Sequence, residues 1–357
     1  MKALADRFDP SDVLVYTSSE PGAAEYDATL PYQVIRDKTH MLLPTKRVRA
    51  AVINVMKEHG ADRILIGSSA PLGLMAADLK AAGAKRVVAI THGHEVWWAK
   101  LPISRSLFRK IGDRVDVLTY IATWIREQQA QALSPLGRTK QQRMTPGVDS
   151  HRFYPGVGGV QVREKLGIAS DAPVVVCAAR LVKRKGQDTL IKAWPEVLAK
   201  HPDARLILVG NGPFRKGLDK LVASLNLSKN VHLTGPIPCA DIPPYFDAGN
   251  IFAMPSRTRL FGLENEGLPL VFLEAQSCEK PVIVGKSGGA SDALEDGVTG
   301  YLVDPYNPSE VAERINTLFA DKELAARMGK AGRERALNGW QWDQISAICK
   351  EHLQLEA

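Results

Sequence analysis

The chain has 357 residues, 45% of them hydrophobic and 24% charged, too many for one core of ordinary size, so two domains are expected. Its 46 Lys and Arg against 39 Asp and Glu leave a formal charge of +7, which suits an anionic partner: nucleotide phosphates, nucleic acid or an acidic membrane surface. No apolar run approaches the ~20 residues of a membrane-spanning helix, the opening MKALADRFDP lacks the apolar core of a secretory signal, and Cys177, Cys239, Cys278 and Cys349 form no CxxC pair, so a cytosolic protein with reduced thiols and no zinc site is expected.

In chain order, the first half offers strands at 12–18, 32–36, 63–67, 86–91 and 116–122, with helical patterns near 45–59, 71–82 and 123–134. A doubly wound domain normally opens with a strand and a tight Gly-containing turn. This chain opens with a helical fragment, MKALADRF, and then what reads as a second strand, so the first strand and its loop are expected to be missing. ITHGHEVWW follows a strongly apolar strand, which makes His92 the first residue able to leave the sheet, with His94 and Glu95 behind it. A His-x-His pair without further ligands is weak evidence for a metal. His92 reads either as a substrate-orienting side chain or as a structural His bonded to backbone. In ISRSLFRKIG, helical spacing puts Ile103, Leu107, Phe108 and Ile111 on one face, with Arg105, Arg109 and Lys110 around it. Such a helix either lies on an anionic leaflet, helped by Lys46, Arg47 and Arg49, or packs on the core.

TPGVDSHRFYPGVGGVQ, rich in Pro and Gly, reads as a linker. The expected division is a domain over 1–152, a second over 153–337, and an amphipathic helix over 338–357 that packs back on the first. The second half repeats the rhythm of apolar strands and helices in PVVVCAAR, ARLILVG, VHLTG, IFAMPS, PVIVG and GYLVD, which implies parallel sheets covered on both faces. Two such domains hold a ligand where the carboxyl ends of their strands face each other.

The loops after those strands carry the chemistry. In CAARLVKRKGQDTLIKA, Arg180 ends a strand and Lys185 precedes Gly186 and a helix; a guanidinium fork and an ammonium placed there can clamp a diphosphate. LVGNGP puts Gly210 and Gly212 past another strand, where backbone can approach a ligand or simply turn. LTGPIP, with Gly235 and Pro236, could offer backbone groups to a nucleobase. ENEGLPLVFLEA carries Glu266 just before a helix and Glu274 two turns into it. The amides of Gly267, Leu268 and Leu270 at that helix start favour an anion, while the two carboxylates can accept hydrogen bonds from sugar and ribose hydroxyls. No Asp-x-Asp occurs, so neither a metal nor a cofactor is expected.

PGVDSHRF, ARLVKRKG and the Glu266-x7-Glu274 spacing together resemble the retaining glycosyltransferases of the GT-B fold, an α/β architecture of two Rossmann-like doubly wound domains facing across a cleft. THGHEV, LPISRSLFRKIG, DVLTYI, IFAMPSRTR and EGLPLVFLEA narrow the resemblance to the actinobacterial GDP-mannose-dependent phosphatidylinositol monomannoside mannosyltransferases. That resemblance implies Arg180 and Lys185 on the donor diphosphate, Glu274 on the ribose, Glu266 and the following amides on the mannose, and His92 near the reacting centre. It further implies front-face transfer to a phosphoinositide-type lipid at an anionic membrane surface, on the inner face of the plasma membrane, and no nucleic acid partner. RLFGLENEG stands where the family carries a Gly-rich loop of the RGGGLDVEG type. With the family's first strand and Gly-Gly loop also not found, weak or absent activity is expected of the chain as written. A small-molecule binding protein and a nucleotide-sugar epimerase are the competing classes, and the latter should show GxGxxG after an early strand.

Overall fold

The computed structural model describes residues 2–355, which form two compact units. One contains the residues up to Gly147 together with those from Trp342 onward, and the other runs from Val148 to Gln341.

The second unit is built on six parallel strands: β7 Val174–Ala178, β8 Arg205–Val209, β9 Val231–Gly235, β10 Ile251–Met254, β11 Val282–Gly285 and β12 Gly300–Val303. The central strands β7, β10 and β11 are buried along their whole length. They are uniformly apolar because both faces are covered by helices. The spatial order is β12-β11-β10-β7-β8-β9, so the direction of winding reverses between β7 and β10. Right-handed crossovers on either side of a reversal put their helices on opposite faces. Gln187–Lys200 packs with Pro308–Ala320, while Leu270–Ser277 packs with Lys322–Gly339. The carboxyl ends of β7 and β10 therefore diverge into loops that leave a crevice, the place where open α/β sheets take ligands. In the core Phe252 stacks on Phe246 at 5.1 Å and meets Phe272 edge-on at 5.6 Å between centroids.

The first unit has two parallel sheets. β1 Leu14–Thr17 pairs with β2 Gln33–Arg36, and a separate sheet runs β3 Arg63–Ile66, β4 Arg86–Ala89, β5 Val117–Tyr120, β6 Gln141–Arg143. The last helix, Trp342–Leu353, lays Ile345, Cys349 and Leu353 against Val88, Ile90 and Val117 of that sheet and against Leu4.

Three local expectations change. The helix foreseen over 71–82 is broken into Ser69–Leu72, a 3-10 turn at Gly73–Met75, and Ala76–Ala81. Ala70, which precedes Pro71, is extended at φ −113° and ψ 124°, as the clash with the Pro ring requires. Residues 338–339 end the preceding helix, and a new one starts at Trp342 after Trp340 leaves helical geometry. The apolar stripe of 103–112 is divided: Phe108 and Ile111 are wholly buried in the core, whereas Ile103 is 83% exposed. Half of that face, Phe108 and Ile111, is spent on the core, while Leu107 is half-buried and Ile103 faces outward.

Candidate functional site

The loop leaving β7 passes Arg180, makes a 3-10 turn at Lys183–Lys185 and enters the helix Gln187–Lys200 through Gly186, whose φ is +75°. A Cβ on Gly186 would lie 2.0 Å from the carbonyl oxygen of Pro255, so only glycine lets this loop seat on the end of β10. The Arg257 amide donates to the Arg184 carbonyl at 2.8 Å, and the Arg257 guanidinium pairs with Asp188. The two loops at the winding reversal are thus joined by backbone and charge.

The basic run fans outward from this turn. Lys183 lies over the Phe214 ring at 5.8 Å. Arg184 and Lys185 both reach Glu266, Lys185 Nζ donating to Oε2 at 3.0 Å. Glu266 is 4% exposed, and its backbone is fixed by Gly289, whose amide donates to the Glu266 carbonyl at 3.0 Å. Arg180 is exposed and its guanidinium has no hydrogen bond or ion pair among the described residues; only its carbonyl is used, by Gln187 and Val182. Two cations on one carboxylate leave one net positive charge at this turn, and Arg180 on the same loop adds a further cation. Arg184 was not singled out from sequence, and Lys185 and Glu266, expected on different parts of a ligand, here hold each other.

The helix Leu270–Ser277 begins at Pro269. Gly267, Leu268 and Leu270 therefore line the approach to it, and their amides have no acceptor among the described residues. Glu274 sits on its second turn, half-buried and with no hydrogen bond to its carboxyl group among the described residues. Removal from water pushes its pKa up to about 7, against a smaller downward pull from Arg152. Arg152 itself donates to the Cys239 carbonyl at 2.7 Å. A poorly hydrated carboxyl group with unused acceptor capacity is suited to neutral hydroxyl donors.

The glycines after β8 and β9 have a structural use. Gly210 donates its amide to Gly235 O at 3.0 Å. Cβ atoms on Gly210 and Gly212 would stand 2.3 Å from the carbonyls of Ala179 and Leu181, so what these glycines approach is the β7 loop. Pro236 is exposed beside them.

In the first unit, His92 Nε2 lies 2.6 Å from the Gly67 carbonyl. A carbonyl only accepts, so Nε2 is the donor in this contact, and a ring carrying that one proton has Nδ1 as an acceptor. Its loop is held by Glu95, wholly buried, which takes the amides of His92 and Gly93 at 3.0 Å each and the Ser69 hydroxyl at 3.1 Å. His94 stacks on His92 at 6.3 Å.

With this geometry in view, the similarities to known proteins are specific. Residues 161–335 match the family "Glycosyl transferases group 1". The chain is 41% identical, over 96% of its length and 90% of the relative's, to the GDP-mannose-dependent alpha-(1-6)-phosphatidylinositol monomannoside mannosyltransferase of Mycolicibacterium smegmatis. It is 40% identical, over 98% and 91%, to the GDP-mannose-dependent monoacylated alpha-(1-6)-phosphatidylinositol monomannoside mannosyltransferase of Corynebacterium glutamicum. The chain belongs to the group 1 glycosyltransferases. The fold of this glycosyltransferase is that of the Anabaena protein HepE, crystallised with UDP, at a TM-score of 0.82 and 21% identity over 99% of this chain and 94% of that one. The two parallel-sheet units are accordingly those of the GT-B architecture.

Sequence reasoning passed over two groups of the glycosyltransferase that the fold brings to prominence, Arg184 and Arg257, and named Glu95 behind His92 without a role. The basic run KRK was visible, but spacing in a 3-10 turn does not say which of three side chains turns inward. Arg257 sits in an irregular loop and Glu95 at the start of a short helix, where no periodicity marks a residue's neighbours.

Proposed function

We propose that this glycosyltransferase moves mannose, with retention of configuration, from GDP-mannose to a phosphatidylinositol mannoside at an anionic membrane surface. The observation that carries the reading is the cationic cluster at the carboxyl end of β7, with Arg180 unpaired among the described residues and Arg184 and Lys185 held by a buried carboxylate. The identity of nucleotide, sugar and acceptor is supported by likeness to the mannosyltransferases over nearly the whole chain.

On this reading Arg180 grips the diphosphate by its fork and Lys185 adds a point charge, with the amides of Gly267, Leu268 and Leu270 completing the anion site. Gly210, Gly235 and Pro236 border the nucleoside, and Glu274 accepts from the ribose. Glu266, relieved of part of its cation load by the arriving phosphates, accepts from mannose hydroxyls, and His92 offers Nδ1 to a hydroxyl. In the transfer step the bond between the anomeric carbon and the diphosphate breaks and its electron pair leaves with the diphosphate. The acceptor hydroxyl attacks from the same face, and its proton goes to the departing phosphate oxygen. Cations fixed before the reaction stabilise the charge that grows on the leaving group, worth several kcal/mol when placed beforehand.

The test is transfer from GDP-mannose, UDP-glucose and their analogues by the native protein and by Arg180→Gln. Because Arg180 is exposed and unpaired, the substitution is expected to leave the melting temperature unchanged while lowering kcat/KM by about a hundredfold or more. Turnover near the native level in Arg180→Gln, or a clear preference for a uridine donor, overturns the assignment.

A further inference from the structure

The first unit carries a groove of about 440 Å³ between the helix Pro102–Arg114 and the short helix Pro135–Thr139, with Arg105, Arg109 and Arg138 among its lining residues and no Asp or Glu among them. We propose that this groove is a second anion site, separate from the donor loops, which takes the phosphodiester of an anionic glycerophospholipid.

Two of the three guanidiniums are set before any ligand arrives. Arg105 and Arg138 each donate one N–H to a carbonyl just past the helix Thr123–Ala130 or at its end, Gln131 O and Ala130 O respectively. Cations are favoured at such a helix C-terminus. Each keeps its remaining N–H donors for the groove. Arg109 has no side-chain partner among the described residues. The closest acid along the helix, Asp113, accepts from the Ser134 hydroxyl and is not part of the lining. Three positive charges without a carboxylate make a phosphate the fitting occupant, and Arg forks match its oxygens.

The borders decide between a free phosphate and a lipid. Leu101 and Ile103, 53% and 83% exposed, flank Pro102 on one side; Leu136, 56% exposed, stands between Pro135 and Arg138 on the other. A soluble phosphate gains nothing from them. A membrane surface does, because side chains beside a bound headgroup enter the acyl boundary while the arginines stay with the phosphates. The burial of Phe108 and Ile111 leaves these end residues, not the length of the helix, as the apolar contribution.

The inference rests on the membrane setting of the proposed function but not on its chemistry, and the experiment separates the two. Co-sedimentation is measured with vesicles of phosphatidylcholine alone and mixed with phosphatidylinositol, for the native protein, Arg109→Glu and Ile103→Ser, alongside transfer to a detergent-dispersed acceptor. Native protein is expected on the mixed vesicles only. Arg109→Glu should bind about thirtyfold more weakly, since it removes one cation and adds one anion at about a factor of five each. Ile103→Ser should bind several-fold more weakly, and both should transfer at the native rate in detergent. Arg109→Glu sedimenting like the native protein overturns the site. So does stabilisation of the native protein by inorganic phosphate, lost in Arg109→Glu, together with no vesicle binding, because that makes the occupant a free phosphate. Absent transfer with the vesicle pattern intact would sink the enzymatic reading and support the groove.

Discussion

Glu266→Gln keeps the size of the side chain and removes one negative charge from the centre of the cationic cluster. The carboxylate is 4% exposed and accepts from both Arg184 and Lys185, the second at 3.0 Å. At an effective dielectric constant of ~20, unit charges that far apart attract by roughly 5 kcal/mol per pair, most of it offset by desolvation. Removing one partner of a buried pair nets a loss of ~3–5 kcal/mol. Arg184 and Lys185 keep 23% and 13% of their side-chain surface in solvent, so the lower end, about 3 kcal/mol, applies. For a domain of this size each kcal/mol moves Tm by ~2–4 °C, giving a fall of about 6–12 °C in scanning calorimetry. GDP should recover much of it, because the unpaired cations become free for the diphosphate and ligand that binds only the folded state raises stability. GDP should therefore stabilise the variant more than the native protein, while sugar transfer drops by about a hundredfold through loss of a charged hydrogen-bond acceptor. A variant that melts within a degree or two of native, or that GDP stabilises less, would refute the idea that this carboxylate holds the cations in readiness.

Three further expectations follow from the same side chains and their neighbours. Glu274 has its carboxyl pKa raised from 4.5 to about 7 in the folded chain, so between those values the folded state holds a proton the unfolded state has lost, and stability falls as pH rises through that window and levels off above it. Glu274→Gln should flatten this part of the pH dependence in urea titrations, by about 3 kcal/mol at most, and an unchanged slope would refute it. Gly186→Ala forces a Cβ to within 2.0 Å of a carbonyl at φ +75° and should cost about 2 kcal/mol or more in chemical denaturation; an unaltered midpoint would remove the argument for that turn. Of the four thiols, Cys177, Cys278 and Cys349 are buried, with pKa values pushed up to about 12, 12 and 11 by loss of water, so a thiol reagent should label Cys239 alone until the chain unfolds.

How far the sequence foretold these features depends on what each segment had to signal. The second unit was legible because its central strands are wholly buried, and VVVCA and IFAM announce that by composition alone. β6, three polar residues on a sheet edge, carries no such signal. Over 71–82 apolar periodicity outweighed Pro71, although a residue before proline resists helical geometry. In 103–112 the periodicity was real, but a stripe says only that one face is apolar, and packing decides whether it meets core or solvent. Among the site residues, what eluded sequence was pairing: that Lys185 would meet Glu266, and that Arg184 would join it, depends on a turn whose shape Gly186 imposes.

The two acids of ENEGLPLVFLEA show why pairing matters more than identity. They share a loop and a helix, yet Glu266 is buried against two cations, whereas Glu274 faces none at hydrogen-bond distance among the described residues and is pushed toward its neutral form. A ligand acts on them in opposite directions. An arriving diphosphate competes for the partners of Glu266 and so loosens it toward hydroxyl donors. Hydroxyls donated to Glu274 favour its charged form and so lower its pKa. Ligand binding near neutral pH should then release a proton, seen as a dependence of calorimetric heat on the buffer's ionisation enthalpy. Glu274→Gln should abolish that dependence and Glu266→Gln should not, since Glu274 is the carboxyl group that loss of water pushes up to about 7. Equal proton release from both variants would mean that the titrating group lies elsewhere and that Glu274 does not meet the ligand.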